Sequence, residues 1–430
     1  METTNTQNKQ SFSRYQVFII AILAILQFTI ILDFMVLSPL GAQLMQELSI
    51  TPRQFGWVVS AYAFSAGASG LMAAGFADKF DRKKILLFFY VGFIFGTFLC
   101  GIATSYHFLL VARIVTGVFG GVISSISFAI ITDLFELNMR GRVMGFVQMA
   151  FATSQVMGIP LGLYLANHWG WHSPFLLIVG VSIVVGIFIV AKLKPINAHL
   201  KTQQKTNPFI HLFKTISNAD YLKGFAAIAL LATGGFMLMP FGSAFTVYNM
   251  GISLDNLPLI YMVTGVCSMI SGPLAGKLSD KIGKYKMFVI GSIISLVVIS
   301  IYCNLGITPL WLVVLINAVL FVGITSRMIS ASALMTAIPA QHDRGAYMSI
   351  QSSVQQISGG LASALAGLIV VQTSSGVLEN YDLLGYVVAL AILVTIIMMY
   401  VIDRMIKQRS LNVQSSQQVV FQNNEALSAE

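Results

Sequence analysis

Two charged residues of opposite sign, Asp33 and Arg113, lie inside long apolar segments of this 430-residue sequence. Asp33 is the only carboxylate well inside such a segment. An ionised side chain at bilayer depth costs roughly 2.5 to 3.5 kcal/mol on insertion scales, so a charge that is kept there indicates a function. Burial favours a neutral carboxyl and a nearby cation favours an ionised one, so small rearrangements can make Asp33 exchange a proton. The sequence therefore predicts a proton-coupling site.

The expected depths of these two side chains place them at similar levels in a membrane. Asp33 lies about nine residues before the outer end of the first predicted helix, and Arg113 about five or six residues after the outer start of the fourth. At a rise of roughly 1.5 Å per residue, the two levels agree within about one helical turn. We expect the side chains to pair, either as a coupling site or as a static structural ion pair.

A third buried charge, Arg327, is expected near the middle or the inner half of the tenth helix, with no carboxylate at its own depth. A cation in that position can face a water-filled cavity and bind an anionic or hydroxyl-rich substrate. The alternative is that Arg327 extends its guanidinium towards the membrane surface or binds backbone carbonyls.

Amides are the remaining polar groups with a regular spacing inside predicted helices. Gln148 and Gln155 share one face of the fifth helix, and Gln351 and Gln355 share one face of the eleventh. An amide in a membrane core must be hydrogen-bonded, so these side chains either bind substrate in a cavity or bridge two helices.

The elements that must position these residues are membrane-spanning helices. The chain is 56% hydrophobic and 10% charged, with a mean hydropathy of +0.81, and its apolar runs are long enough to cross a bilayer. We predict an all-α integral membrane protein with twelve transmembrane helices. The predicted spans begin near residues 16, 54, 85, 108, 143, 174, 222, 257, 286, 309, 347 and 383.

The basic residues predict the orientation of these spans. With the N-terminus inside, 22 of the 25 Lys and Arg residues fall on the cytoplasmic side, and Arg53 is the one placed in an outer loop. This is the positive-inside pattern of a multi-pass protein of the plasma or inner membrane, with both termini cytoplasmic. The net charge of +9 is therefore a topology signal, and we expect no nucleic-acid partner.

A polar stretch at 194–218 divides the chain into two halves of six helices. We predict an N-terminal bundle at 1–193, a cytoplasmic central loop at 194–218, a C-terminal bundle at 219–409 and a disordered cytoplasmic tail at 410–430. The third, sixth, ninth and twelfth spans are almost continuously apolar, so we expect them to face lipid while the others enclose a cavity.

An internal repeat relates the two halves. The segment 69–84 aligns with 271–286 at an offset of 202, with six of sixteen positions identical. Arg140 and Arg344 correspond at an offset of 204. At the offset of 201 that relates Pro39 to Pro240, Gly234 takes the place of Asp33, so coupling is expected in the first half. Parallel six-helix repeats imply two pseudo-symmetric bundles with the substrate path between them.

With these features the whole span region resembles the major facilitator superfamily. The loop motif of that family, G-x-x-x-D-[RK]-x-G-[RK]-[RK], is matched in the second half by Gly276, Asp280, Gly283 and Lys284. The first-half copy keeps the charges of Asp78 and Arg82 but has Ala74 and Asp81 in place of the glycines. The resemblance implies a conformational loop whose ion pairs break when the two halves rock; the alternative is a solvated basic loop.

The fourth and fifth helices resemble the drug:proton antiporter and sugar efflux (arabinose efflux permease-like) branch of that superfamily. Arg113 and Gly117 match its fourth-helix R-x-x-x-G motif, and Gly158, Pro160 and Gly162 match the G-x-P-x-G form of its fifth-helix antiporter motif. The resemblance implies export. The same glycine spacings also suit simple helix packing.

Together these features predict a secondary active transporter, a proton-coupled antiporter that exports drugs or sugars by alternating access. Two alternatives stay open: a proton-coupled uptake symporter of the same fold, and a membrane sensor that does not transport. We expect no enzyme activity, metal or cofactor, because no phosphate-binding loop or metal-ligand cluster is present and the proton gradient supplies the energy. The expected partners are the lipid bilayer, protons and a small-molecule substrate, and the expected state is a monomer.

Overall fold

The computed structural model describes residues 12–76, 79–197, 200, 213–340 and 343–428. The first half contains eight α-helices: α1 Arg14–Val36, α2 Gly41–Glu47, α3 Pro52–Phe76, α4 Arg82–Gly101, α5 Tyr106–Leu134, α6 Leu137–Thr153, α7 Ile159–Trp169 and α8 Ser173–Lys192. The described part of the second half adds seven: α9 Ala219–Phe236, α10 Gly242–Tyr248, α11 Leu257–Ile282, α12 Lys284–Tyr302, α13 Leu310–Met335, α14 Arg344–Ile369 and α15 Tyr381–Ser428.

Three pairs of these helices are single membrane-crossing units interrupted by a local irregularity. A π-helical turn at Ser154–Gly158 joins α6 to α7, and a short 3₁₀ turn at Met239–Phe241 lies between α9 and α10. The short helix α2 continues from the end of α1 after a turn at 37–40. The result is two bundles of six crossings, which confirms the predicted architecture. The predicted starts lie within three residues of the observed ones except in the fifth crossing, where α6 begins six residues earlier.

By length and composition, ten helical segments of the described chain qualify as membrane spans. The two remaining crossings, α3 and α14, are 25 and 26 residues long but richer in small and polar residues. These two helices pack against each other at the centre of the molecule, one from each half, and this central position explains their polarity. The face of each helix that packs against the other half does not meet the lipid, whereas large apolar side chains such as Leu361 and Leu365 of α14 are exposed.

Small residues allow α3 and α14 to approach closely. A Cβ added at Gly56 would lie 2.8 Å from the backbone oxygen of Ser363, so only glycine fits there without a shift. Four residues further along α3, Ser60 Oγ donates to the backbone oxygen of Gly360 at 2.7 Å. The two halves therefore meet along a smooth surface of backbone and small side chains, which suits sliding or rocking better than interlocked large side chains would.

Hydrogen bonds between the halves also lie at the membrane face opposite the termini. Ser243 Oγ donates to the backbone oxygen of Ser38 at 3.0 Å, and Tyr248 Oη donates to that of Ala42 at 3.3 Å. Asn167 Nδ2 donates to the backbone oxygen of Leu254 at 2.9 Å. The bundle is therefore closed at this face.

The expectation that four crossings face lipid stays a prediction, because exposed large apolar side chains also lie on other crossings such as α11 and α13. The third, sixth, ninth and twelfth crossings, α4, α8, α12 and α15, each expose large apolar side chains at helical spacings. Examples are Phe88 and Val91 on α4, Ile183 and Ile187 on α8, Ile293 and Val297 on α12, and Leu390 and Ile397 on α15.

The two copies of the loop motif adopt different turns. Gly283 has φ +100°, a left-handed backbone that links α11 directly to α12. At the corresponding position of the first half, Asp81 has φ −57° and accepts hydrogen bonds from the backbone N–H groups of Lys83 and Lys84. A glycine is therefore not needed in the first copy, because an aspartate N-cap starts α4. Asp81 starts α4 with a side-chain cap, whereas Gly283 starts α12 with a left-handed backbone.

The charged residues of the motif lie at the face that carries the termini. Arg82 Nε lies 2.9 Å from Asp133 Oδ2 at the end of α5, so this loop is tied to the fourth crossing. In the second copy Asp280 is exposed, and Gly276 and Lys284 are half-buried. Asp78 lies outside the described residues, as does most of the predicted central loop.

Two local features differ from the sequence-based expectation. An antiparallel hairpin, β1 Val371–Gln372 with β2 Leu378–Glu379, lies between α14 and α15 in a chain expected to be all-α. The last helix continues to Ser428, through the segment for which disorder was expected. That segment contains neither Gly nor Pro, so nothing in its backbone ends the helix.

Alanine substitutions at the two glycines of the second loop motif distinguish two costs in stability. One is the cost of a left-handed backbone, and the other is the cost of an added side chain. Gly283→Ala is expected to cost about 1 to 2 kcal/mol, because an L-residue is strained at this left-handed position. The matched control is Gly276→Ala, since Gly276 is helical and nothing lies within 4 Å of an added Cβ. Thermal unfolding in detergent should show a lower midpoint for Gly283→Ala alone. Equal midpoints for the two variants would contradict this account of the turn.

Candidate transport site

Asp33 and Arg113 form an ion pair in the interior of the first half, so the contact expected from their depths is confirmed. Arg113 Nη1 lies 2.8 Å from Asp33 Oδ2, and the side chains are 1% and 0% exposed. The same nitrogen lies 3.4 Å from the backbone oxygen of Asp33. The pair is sealed from solvent on all sides, so a change of its charge must accompany a change of its surroundings.

The helices α3 and α4 supply the other contacts of the pair. Thr97 Oγ1 on α4 donates to Asp33 Oδ1 at 3.2 Å, so both carboxylate oxygens are hydrogen-bonded. The Tyr62 ring on α3 lies against the guanidinium, with 4.5 Å between its centroid and Arg113 Cζ. Arg113 Nε is buried and has no hydrogen-bond partner among the described residues. Both carboxylate oxygens are thus hydrogen-bonded, whereas one nitrogen of the guanidinium, Nε, is not.

Gly117 sets the distance between α3 and α5 at this point. A Cβ added there would lie 2.0 Å from Ser65 Oγ and 2.5 Å from the backbone oxygen of Tyr62. Because Gly117 is one turn after Arg113 on the same helix face, its missing side chain lets α3 bring Tyr62 over the guanidinium. This gives the R-x-x-x-G spacing a physical reason.

The glycines of the fifth crossing do the same for α1. Added Cβ atoms at Gly158 and Gly162 would lie 2.7 Å from Leu32 Cδ1 and 2.9 Å from Val36 Cγ2, so both glycines seat this crossing against the segment of α1 that carries Asp33. Pro160 follows the π-helical turn, since it has no N–H to donate to the preceding turn. The packing interpretation of this motif therefore has direct structural support, and its link to export stays a prediction.

A small polar cavity lies between the halves, beside the ion pair. It measures about 70 Å³ and is lined from α1, α3, α5 and α14. Tyr62 contributes to its wall, so the same residue contacts the ion pair and lines this cavity. The other polar groups that line it are Ser124, Ser125, Ser349, Ser352, Ser353 and Gln356. Gln27 Nε2 also donates to Ser124 Oγ at 2.8 Å.

The four predicted glutamines line neither this cavity nor the larger one in the second half. Gln148 is exposed, and Gln155, Gln351 and Gln355 are half-buried. Gln155 lies in the π-helical turn, whose backbone contacts Gly265 of the opposite half. Its position favours the helix-bridging alternative.

Arg327 lies apart from the ion pair, on α13, and is 5% exposed. It lines a second cavity of about 150 Å³ inside the second half. Its guanidinium carbon lies 5.6 Å from the centroid of the Phe288 ring. The expectation that no carboxylate lies at its depth agrees with the absence of any ion pair to Arg327 within the described part of the chain.

Sequence reasoning missed Tyr62 and the serines of the polar cavity. Tyr62 lies in a helix with no other sign of function, and an aromatic residue in an apolar run gives no signal of its own. The serines leave a weak signal, because Ser124 with Ser125 and Ser352 with Ser353 are adjacent pairs inside helices. Only the packing of both α5 and α14 against α3 brings the two pairs to one place.

Comparison with known proteins gives a consistent picture. Residues 23–362 and 224–426 match the family model described as Major Facilitator Superfamily. The uncharacterized MFS-type transporter YceJ of Bacillus subtilis (strain 168) is 27% identical over 269 residues, 62% of this chain and 68% of that protein. Multidrug resistance protein 3 of the same organism is 32% identical over 148 residues, 34% of this chain and only 29% of that protein.

Solved structures share the fold at low sequence identity. A bacterial homologue of the human lysosomal transporter Spinster, in an inward-facing and unoccupied conformation, superposes with a TM-score of 0.68 at 15% identity, covering 92% of this chain and 97% of that one. The nucleoside transporter NupG superposes with a TM-score of 0.69 at 14% identity, covering 90% and 99%. At these identities the likeness concerns the fold alone.

Gly117→Ala tests whether the missing side chain positions Tyr62. We expect destabilisation of about 1 to 3 kcal/mol from overpacking, because the added Cβ meets a backbone carbonyl that cannot rotate away. Thermal unfolding in detergent measures the effect. Adding Ser65→Ala should rescue little of it, since the Tyr62 carbonyl remains in place.

The matched control is Gly180→Ala, since nothing lies within 4 Å of an added Cβ on that helical glycine. This variant should be neutral or slightly stabilising. Equal stability of the Gly117→Ala and Gly180→Ala proteins would show that α3 and α5 are not in close contact at Gly117.

Proposed function

Because the chain belongs to the major facilitator superfamily and is a membrane transporter of that type, we propose that it is a proton-coupled antiporter that exports small organic molecules, drugs or sugars. The observation that carries the proposal is the sealed pair of Asp33 and Arg113, 2.8 Å apart. The proton gradient across the plasma or inner membrane is the energy source, and the termini lie in the cytoplasm. The protein works as a monomer and needs no cofactor.

The coupling follows from the charge balance of the pair. Protonation of Asp33 would leave Arg113 as a buried charge with no counter-ion, and an uncompensated buried charge costs roughly 3 to 5 kcal/mol. The protonated state is therefore stable only in a conformation that admits water or another anion to the guanidinium. Proton binding and conformational change are linked for this reason.

Tyr62 connects the ion pair to the substrate path. Its ring touches the guanidinium of Arg113, and the same residue lines the polar cavity between the halves. A molecule that enters this cavity displaces the ring or presses it against Arg113. Substrate and proton thereby act on the same guanidinium, which is the requirement for exchange.

The contact between the halves supports alternating access. Close packing between α3 and α14 runs through glycine and serine, and the face opposite the termini is closed by hydrogen bonds such as that from Ser243 to Ser38. Rocking about this contact opens one face while it closes the other. Serine hydroxyls and the amide of Gln356 in the cavity wall favour a substrate with hydroxyl or other neutral polar groups.

Asp33→Asn tests the coupling directly. In liposomes loaded with a pH-sensitive dye, adding a transported member of a panel of sugars and lipophilic cations should make the lumen more alkaline, because substrate enters as protons leave. The amide cannot carry the proton, so this signal should be absent in Asp33→Asn while the protein stays folded. Asp382→Asn, at an exposed carboxylate of α15, should keep the signal.

The direction of the pH change separates the alternatives. A more acidic lumen on substrate addition would contradict antiport and indicate symport. An undiminished response of the Asp33→Asn protein would remove Asp33 from the mechanism.

Tyr62→Phe and Tyr62→Leu test the aromatic link. Phenylalanine keeps the face that touches Arg113, so proton exchange should stay within about twofold of the unsubstituted protein. Leucine removes that face, and we expect substrate-evoked proton movement to fall at least about tenfold, in line with the loss of a desolvated cation–π contact. The same liposome assay measures both variants. Equal activity of the two variants would show that the ring has no coupling role.

A further inference from the structure

The cavity inside the second half occupies the place that the ion pair occupies in the first. At the repeat offset of 201 Asp33 corresponds to Gly234, and at the offset of 204 that relates Arg140 to Arg344, Arg113 corresponds to Asn317. Both Gly234 and Asn317 line the cavity of about 150 Å³. Where the first half has a carboxylate and an arginine in contact, the second half has glycine and asparagine beside a cavity.

Arg327 supplies a charge to this space. It lies on α13 about ten residues after Asn317, and the α13 residues that line the cavity extend over roughly 16 Å of helix. The residues that line the cavity include no Asp or Glu. Arg327 is 5% exposed, so neither a protein carboxylate within the described chain nor bulk water balances its charge.

The unpartnered atoms of Arg327 lie on one edge of the guanidinium. Nε and Nη2 are both buried without a hydrogen-bond partner among the described residues. These two N–H groups point the same way, and this edge can pair with the two oxygens of a carboxylate in a bidentate contact. Tyr381 Oη, another residue of the cavity wall, is also buried without a partner. The residues that line the cavity therefore carry donors that no group of the described chain pairs.

We propose that this cavity binds an organic carboxylate with a flat apolar body, whose carboxylate pairs with Arg327. The proposal rests on the proposed transport function and adds a site for an anionic ligand, separate from the polar cavity between the halves. Apart from Arg327, Asn317, Thr246 and three tyrosines, the wall is formed by apolar side chains and glycine. Apolar cavities of roughly 150 Å³ accept a molecule the size of benzene. An aromatic monocarboxylate such as benzoate fits both the charge and the space.

Isothermal titration calorimetry on the purified full-length protein in detergent tests the site with a matched ligand pair. Benzoate should bind, and benzamide, which has the same shape without the charge, should bind at least about tenfold more weakly. Acetate, which has the charge without the apolar body, should also bind at least about tenfold more weakly. Equal binding of benzoate and benzamide would overturn the proposal.

Two substitutions locate the binding. Arg327→Gln should weaken benzoate binding at least about tenfold, and Arg327→Lys should retain part of it, because the charge remains but the bidentate edge is lost. Gly235→Leu keeps Arg327 and fills the cavity, since nothing lies within 4 Å of an added Cβ at this cavity-lining glycine. It should also abolish binding. Unchanged benzoate affinity in either Arg327→Gln or Gly235→Leu would refute the site.

Asp33→Asn serves as the control that separates this proposal from the proposed function. Benzoate binding to Arg327→Gln tests the carboxylate site, and proton movement in Asp33→Asn tests the coupling mechanism. Binding that is lost in Arg327→Gln, together with proton movement that does not depend on Asp33, would support the carboxylate site and refute the coupling mechanism. Proton movement that depends on Asp33, in a protein that does not bind benzoate, would support the coupling mechanism and refute the carboxylate site.

Discussion

The rest of the structure depends on one buried ion pair, and the constraint is the cost of an unbalanced charge. Two ions removed from water are tolerable only while they touch each other, and separating or neutralising one of them leaves the other exposed to a low dielectric. The surrounding helices satisfy this constraint locally. Thr97 completes the hydrogen bonding of the carboxylate, Tyr62 covers the guanidinium, and Gly117 removes the side chain that would keep α3 away. A protein that must change the charge of such a pair must also change its shape, and this connects the local chemistry to the movement of two six-helix halves.

The two halves share a fold but divide the chemistry between them. At the repeat-related positions, the first half has a carboxylate and an arginine in contact, whereas the second has Gly234 and Asn317 beside an open cavity. The second half keeps a cation, Arg327, with no protein counter-ion among the residues that line that cavity. In this account the first half carries its own anion and the second takes one from a ligand. The small-residue contact between α3 and α14 lets both halves respond to one movement.

The architecture was predictable from sequence because hydrophobic length, basic-residue counts and the internal repeat are all local or periodic signals. The contact between Asp33 and Arg113 was also predictable, since depth in a membrane follows from position along a helix. The two cavities could not be predicted from the sequence. Gln148 and the other glutamines were chosen by helix periodicity, which shows which residues share a face but not which face meets a cavity. The role of Tyr62 depends on how closely α3 approaches α5, and the turn at Asp81 depends on a hydrogen-bonded N-cap in place of a glycine.

Asp33 must change its protonation state together with a rearrangement that admits water or another anion to Arg113. Difference infrared spectroscopy of the reconstituted protein, recorded between acidic and alkaline pH within the range where the protein stays folded, measures this without a known substrate. A band from a protonated carboxyl group should appear on acidification and be missing from the Asp33→Asn protein. Identical difference spectra of the two proteins would contradict a protonation change at Asp33, because the pair would then be a permanent structural contact.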